Sequence, residues 1–341
     1  MRNAKTSEEG HVMNSEAPAG RAGLIHADTT SRRSTLAVPG SNQRMLDKAR
    51  SLATDAVFLD LEDSVSPVAK DLARDQVVTA LVTGGYRQHS ISVRVNARAT
   101  SWCLPDLEAI VSQAPGTFDC IIMPKVQSVD DIIWMAAQLS RLEMTANLPQ
   151  GGIGIEVQIE DALGLINVES IAASHERIKT LVFGPADFMA SVNMKTLVVG
   201  AQPAGYTEGD AYHYPLMRML VAGRAFGKQV IDGPYLGIKD VVGLKQASMR
   251  SAALGFDGKW VLHPDQIDVV NEIFSPSQDD FDKACTILDA YDLATSHTGG
   301  ARGAVMLDEE MIDEASRKMA LVVWAKGTAA GLQRMAEVNK A

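Results

Sequence analysis

Ile153-Gly154-Ile155-Glu156-Val157-Gln158-Ile159-Glu160 and Thr180-Leu181-Val182-Phe183-Gly184-Pro185-Ala186-Asp187 decide the fold. Each is a short apolar run that leads into a carboxylate, the second through a Gly-Pro turn. Runs of Val, Ile and Leu this short fit strands buried on both faces, as in a parallel sheet. Six more such runs lie at 34–38, 57–61, 91–95, 120–123, 229–231 and 260–262. Segments of helical spacing separate them, at 44–52, 68–82, 105–111, 128–141, 165–173, 214–226 and 241–254. Ser66-Pro67 and Ser128 stand where helix starts want them. Strand and helix alternating eight times predict a (β/α)8 TIM barrel rather than an open sheet. No G-x-G-x-x-G follows an early strand, which counts against a dinucleotide fold. In a barrel all strand C-ends face one mouth. Carboxylates from neighbouring strands then converge there and can hold a divalent metal.

Outward from the barrel, the chain reads in three parts. Residues 1–30 mix basic and acidic side chains without an apolar stretch and read as a disordered extension. Residues 31–275 form the barrel. Residues 276–341 read as a helical lid or arm, with helices at 278–296 and from near Glu309 to about Glu337, joined by a Gly-rich hinge at 297–303. With 32 basic against 42 acidic residues the net charge is −10, and no basic stripe offers itself to nucleic acid. No run approaches membrane-span length. Cys103, Cys120 and Cys285 match no zinc or disulfide spacing, so reduced thiols in a cytoplasmic protein are expected.

Four further stretches carry chemistry: Ala37-Val38-Pro39-Gly40-Ser41-Asn42, Asp60-Leu61-Glu62-Asp63, Arg94-Val95-Asn96 and Met123-Pro124-Lys125-Val126. With Glu160-Asp161-Ala162-Leu163-Gly164, Asp232-Gly233-Pro234, Lys259-Trp260, His263-Pro264-Asp265-Gln266 and Met311-Ile312-Asp313, they make the chain resemble the citrate lyase β-subunit-like family of the HpcH/HpaI aldolases. Within it the chain is most similar to malyl-CoA, β-methylmalyl-CoA and citramalyl-CoA lyases. The resemblance runs from about Arg32 to the C-terminus.

The resemblance implies a carbon–carbon lyase that cleaves a 3-hydroxy-3-carboxyacyl-CoA, reversibly, to acetyl-CoA or propionyl-CoA plus glyoxylate or pyruvate. It implies Glu160 and Asp187 as ligands of Mg2+, with Mn2+ as an alternative ion. Arg94 would stabilise the enolate. Glu62 and Asp63 would hold metal-bound waters and orient Arg94. Asp313 would act as acid or base in the site of an adjacent subunit of a homotrimer or homohexamer. Lys48 matches a position that contacts CoA phosphates. An arginine found in some relatives is here Asn42, with Arg33 or Arg44 as substitutes. Ala37, Ile231, Asp232, Gly233 and Pro234 would line the pantetheine path. The N–H groups of Ala186 and Asp187 would hold the keto-acid carboxylate.

Each residue also has a plainer use. Glu160 and Asp187 could each cap a helix. Arg94 could pair with Glu62 or Asp63. Asp60 and Glu156 read as structural carboxylates, Glu156 lying deeper on the same strand face as Glu160. Asp313 is an acid in a first helical turn, Lys48 a solvated charge, and His263 a hydrogen-bonded residue at a strand end. Three other functions compete: a malyl-CoA thioesterase, an aldolase of free hydroxy-keto acids, and a non-catalytic CoA- or partner-binding barrel.

Overall fold

The computed structural model describes residues 30–335. Of the expected extension at 1–30, all but Thr30 lies outside the described residues; the last helix, expected to run to about Glu337, ends at Ala329. Eight parallel strands close a barrel in sequence order: β1 Ser34–Pro39, β2 Ala56–Asp60, β3 Ser90–Arg94, β4 Cys120–Met123, β5 Gly154–Ile159, β6 Ile178–Phe183, β7 Gln229–Asp232 and β8 Gly258–Val261. β8 closes on β1 through Thr35 opposite Trp260. The fold class is therefore the expected TIM barrel.

The strands form because nearly every residue is buried whichever way it faces. Odd and even positions serve two cores. Outward side chains such as Leu59, Val93, Ile121, Val157 and Leu181 join the layer under the helices. Inward, Phe58, Ile122, Val182 and Trp260 come from alternate strands and make one plug layer, with Ile231 beside them. Phe58 and Trp260 stack with ring centroids 4.3 Å apart. This apolar plug is the floor of the mouth above it.

The helices on the barrel are α1 Gln43–Ala49, α2 Lys70–Thr83, α3 Cys103–Gln113, α4 Val129–Thr145, α5 Ala162–Ile166, α6 Val168–Ala173, α7 Pro185–Ser191, α8 His213–Ala225, α9 Val241–Leu254 and α10 Ile267–Phe274. Ser128 and Asp131 close a capping box at α4. The single helix expected at 165–173 is two, broken at Asn167, and α7 is a short helix that the spacing did not announce.

Two more helices, α11 Gln278–Thr295 and α12 Glu314–Ala329, form the arm, packed through Ala284, Leu288, Ala320 and Leu321. The last helix does not begin near Glu309. A hairpin occupies that stretch, β9 Val305–Leu307 against β10 Glu310–Ile312. Asp308 takes a φ of 51° in its two-residue turn, a geometry a helix would forbid. Asp313 follows as the N-cap of α12, not a first-turn residue. Lys326, near the far end of α12, reaches Asp257 and the Phe256 carbonyl at the start of β8. The arm thus leans on the barrel end opposite the mouth. No helix among the described residues is long and apolar enough to cross a membrane.

Candidate active site

β2 and β3 run side by side with Asp60 level with Arg94 as their last residues. Both face the lumen. Arg94 donates from Nε and Nη2 to the two oxygens of Asp60, each at 2.7 Å. Its Nη1 lies 3.2 Å from Glu62 and 3.5 Å from the side-chain amide oxygen of Gln158. The guanidinium carbon stands 5.6 Å from the Phe58 ring and 5.5 Å from that of Trp260, directly on the plug layer. Burial disfavours both charges, but the pairing outweighs it: Asp60 is held below the usual carboxylate range and Arg94 above its own usual value. The principal partner of Arg94 is therefore Asp60, rather than Glu62 or Asp63. Strand parity and the shared strand end were the sequence signal for it.

Glu62 is buried, and its pKa is raised by burial despite Arg94 and Lys125. Asp63 is exposed and lies 3.4 Å from Lys125 Nζ. No ion pair joins Asp63 to Arg94 among the described residues, so an orienting role on Arg94 falls to Asp60 and Glu62. Lys125 is a second residue the sequence undervalued. Its φ of 56° is costly for a side-chain-bearing residue. That conformation lets its N–H donate to Glu160 Oε1 at 2.6 Å while its ammonium meets Glu62. Burial weakens the ammonium, but the Glu62 bond and charge win and raise the Lys125 pKa. The ammonium is thereby committed to Glu62 and Asp63.

Glu160 follows the last residue of β5, almost fully buried, with Gln158 donating to its other oxygen. Burial first, then the charges of Asp187 and Glu62, push its pKa up to about 8. Asp187 sits in the first turn of α7, half-buried, beside the open N–H groups of Ala186 and Asp187 itself. Neither acid caps a helix with its side chain: Asp161 caps α5, and no side chain caps α7.

The pair suits Mg2+ in this structure by the charge balance of the mouth. Five carboxylates gather here, Asp60, Glu62, Asp63, Glu160 and Asp187, against the cations Arg94, Lys125 and Lys70, whose ammonium bonds the Leu61 and Glu62 carbonyls. Once Glu160 gives up its proton to the ion, two charges are left over and match one divalent ion. Two carboxylates completed by water and substrate oxygens are the usual Mg2+ arrangement.

The proposed CoA residues divide. Ala37 and Lys48 line a cavity of about 250 Å3 at the C-ends of β1 and β8, with Met45, Ser64 and His263. Asn42 accepts from the Met45 N–H as the N-cap of α1. Two side chains are committed elsewhere. Ile231 is 1% exposed in the plug layer, and Asp232 is 2% exposed and bonded to Lys259 Nζ at 2.6 Å. Their side chains cannot line a ligand path because the barrel wall already uses them. Gly233 is buried, and Pro234 alone of the four is partly open. His263 accepts from the Asp265 N–H and caps a turn. Glu156 is buried and accepts from Ser92.

Asp313 accepts from the Ser316 N–H and hydroxyl, and the N–H bond above all lowers its pKa. No hydrogen bond or ion pair links it to Arg94, Glu160 or Asp187 of its own barrel among the described residues. α12 is about 24 Å long, and its anchored end lies at the opposite face of the barrel.

Residues 33–264 match the model of the HpcH/HpaI aldolase/citrate lyase family. An L-malyl-CoA/β-methylmalyl-CoA lyase of Cereibacter sphaeroides is 33% identical over 293 residues, 84% of this chain and 91% of its own. The citrate lyase subunit beta of Escherichia coli is 30% identical over 92% of this chain and 98% of its own. Among solved structures, the protein CitE of Mycobacterium tuberculosis, in complex with magnesium, acetoacetate and coenzyme A, superposes with a TM-score of 0.68 at 26% identity. That match covers 88% of this chain and all of CitE. The chain therefore belongs to the HpcH/HpaI aldolase/citrate lyase family and is an enzyme of its carbon–carbon lyase class.

Proposed function

We propose that this protein is a Mg2+-dependent CoA-ester lyase that cleaves 3-hydroxy-3-carboxyacyl-CoA thioesters such as malyl-CoA, β-methylmalyl-CoA or citramalyl-CoA. The observation that carries the reading is Arg94, fixed by Asp60 on the plug layer, in the same mouth as the Glu160–Asp187 pair. Bound by that pair, Mg2+ would supply Lewis-acid charge to a developing alkoxide. The substrate hydroxyl gives up its proton to solvent, its carbon becomes the carbonyl of glyoxylate or pyruvate, and the electron pair of the broken C–C bond passes into the thioester as an enolate. Arg94 faces that enolate oxygen with a charge that Asp60 and Glu62 cannot discharge, since its pKa is raised. The open N–H groups of Ala186 and Asp187 hold the keto-acid carboxylate. The cavity beside Ala37 and Lys48 takes the CoA arm, where Lys48 meets phosphate.

Asp313 serves the barrel of a neighbouring copy in a homotrimer or homohexamer. Its lowered pKa keeps it ionised at neutral pH, ready to take a proton from the acetyl-CoA methyl in the condensation direction. In cleavage the same carboxyl takes up a proton from solvent and passes it to the enolate carbon. The cell compartment that suits such a metabolic enzyme, with its three buried free thiols, is the cytoplasm.

Malyl-, β-methylmalyl- and citramalyl-CoA incubated with Mg2+, with products identified by mass, test the reaction. Glyoxylate or pyruvate with a shortened acyl-CoA is the expected result. Malate or citramalate with free CoA would make the enzyme a thioesterase and overturn the reading. A second prediction concerns the arm. Arg94→Ala and Asp313→Ala proteins should each be inactive, yet an equal, subunit-exchanged mixture should recover about a quarter of wild-type activity, because one site in four then pairs an intact barrel with an intact arm. No recovery in verified mixed oligomers would place Asp313 outside the neighbour's site.

A further inference from the structure

Asp232 and Lys259 are level with each other on β7 and β8, both about 2% exposed. Their neighbours Ile231 and Trp260 face the lumen, so this pair faces the helices. Asp232 spends one oxygen on Lys259 Nζ at 2.6 Å and the other on the N–H of Gly233 at 2.8 Å. The ion pair thereby holds the backbone just past β7. Gly233 needs that placement: a Cβ there would lie 2.1 Å from Pro185 Cδ and 2.3 Å from the Phe183 carbonyl oxygen. Pro185 opens α7, two residues before Asp187. One strand over, the contact is repeated, since a Cβ on Gly184 would lie 2.3 Å from Glu160 Cβ and 2.8 Å from its Oε2. The ends of β5, β6 and β7 therefore touch through glycines, and Glu160 and Asp187 ride on two of them.

We infer that Asp232, Gly233 and Lys259 form an anchor that sets the Asp187 carboxylate at its working distance from Glu160. Gly233 is a positioning residue for the metal pair, and it acts through Pro185. The inference rests on the metal reading of that pair. It reassigns the Asp-Gly-Pro segment from the CoA path to the geometry of the ion site.

Calorimetric titration of the full chain with MgCl2 tests it. Wild type should bind. Gly233→Ala should raise the Mg2+ dissociation constant about 10–100-fold, the usual effect of disturbing a group that supports a ligand. Its kcat should return toward wild type when Mg2+ is raised to saturation, with the KM for acyl-CoA unchanged. Gly303→Ala, where an added Cβ meets nothing within 4 Å, should leave the constant unchanged. Should Gly233→Ala not fold, the double variant Asp232→Asn/Lys259→Met removes the anchor without stranding a charge, and it too should weaken Mg2+. A folded Gly233→Ala with wild-type Mg2+ affinity overturns the inference, as does wild-type affinity in the double variant where that variant must decide. A raised KM for acyl-CoA at unaltered Mg2+ affinity also overturns it and returns Gly233 to the CoA path. A wild-type protein that binds no Mg2+ overturns the metal reading itself.

Discussion

Replacing Glu160 by glutamine is expected to weaken Mg2+ binding by at least about 100-fold and to flatten the pH dependence of stability in the metal-free protein. The two effects share one cause. Glu160 is buried beside Asp187 and Glu62, and its pKa lies near 8 without a metal, against an ordinary 4.5. In the unfolded chain the proton leaves near 4.5; in the folded chain it stays until about 8. The folded state therefore binds more protons between those values, and stability must fall as pH rises through that window. The full window corresponds to about 5 kcal/mol, fully present below pH 4.5 and gone above 8. Mg2+ must displace the same proton, so its affinity should climb about tenfold per pH unit up to pH 8 and then level. Glutamine keeps the shape and removes the titration, at the cost of one misdirected amide hydrogen bond toward Lys125 or Gln158. Urea unfolding in EDTA from pH 5 to 9, with and without Mg2+, reads both effects. A pH-independent Mg2+ affinity in the wild type, or tight binding by Glu160→Gln, would remove Glu160 from the ion site.

Much of this was open to reading along the chain, and the reason is geometric. A strand buried on both faces writes a run of Val, Ile and Leu, and the loop after it must begin with something polar. All eight runs fall within one or two residues of the strand ends. The run at 260–262 starts two residues late, because β8 starts at Gly258 and carries the buried Lys259, which no apolar pattern would include. The hairpin before Asp313 left no signal, as its strands have three residues each and one residue of six is buried. Charge partners were harder. Arg94 had three carboxylates within reach in sequence terms, and only register separates them. Asp60 is opposite Arg94 on the neighbouring strand, whereas Glu62 and Asp63 lie beyond the strand. Asp232 illustrates the converse: a motif tied to a ligand by family position is spent, in this barrel, on an ion pair behind the wall.

Arg94→Met should lower kcat by about 10²–10³ while changing Mg2+ affinity little, because the methionine fills the space over Phe58 and Trp260 but offers no charge to an enolate oxygen. The same change should destabilise the fold by about 3–5 kcal/mol, since Asp60, 1% exposed, loses the cation that offsets its burial. The N–H groups of Glu62 and Ser64, at 2.9 and 3.2 Å from the carboxylate, favour the lower end of that range. Adding Asp60→Asn separates the two effects. Asparagine needs no counterion, so the double variant should recover most of the lost stability and none of the lost rate. If Asp60 and Arg94 acted only as a structural pair, stability and rate would return together, and the catalytic assignment would fail. Asp60→Asn alone completes the cycle. Arg94 then keeps its charge with Glu62 as its remaining carboxylate partner, so kcat should fall less than in Arg94→Met. Equal rates in Asp60→Asn and wild type would mean that Glu62 and the plug layer suffice to aim the guanidinium.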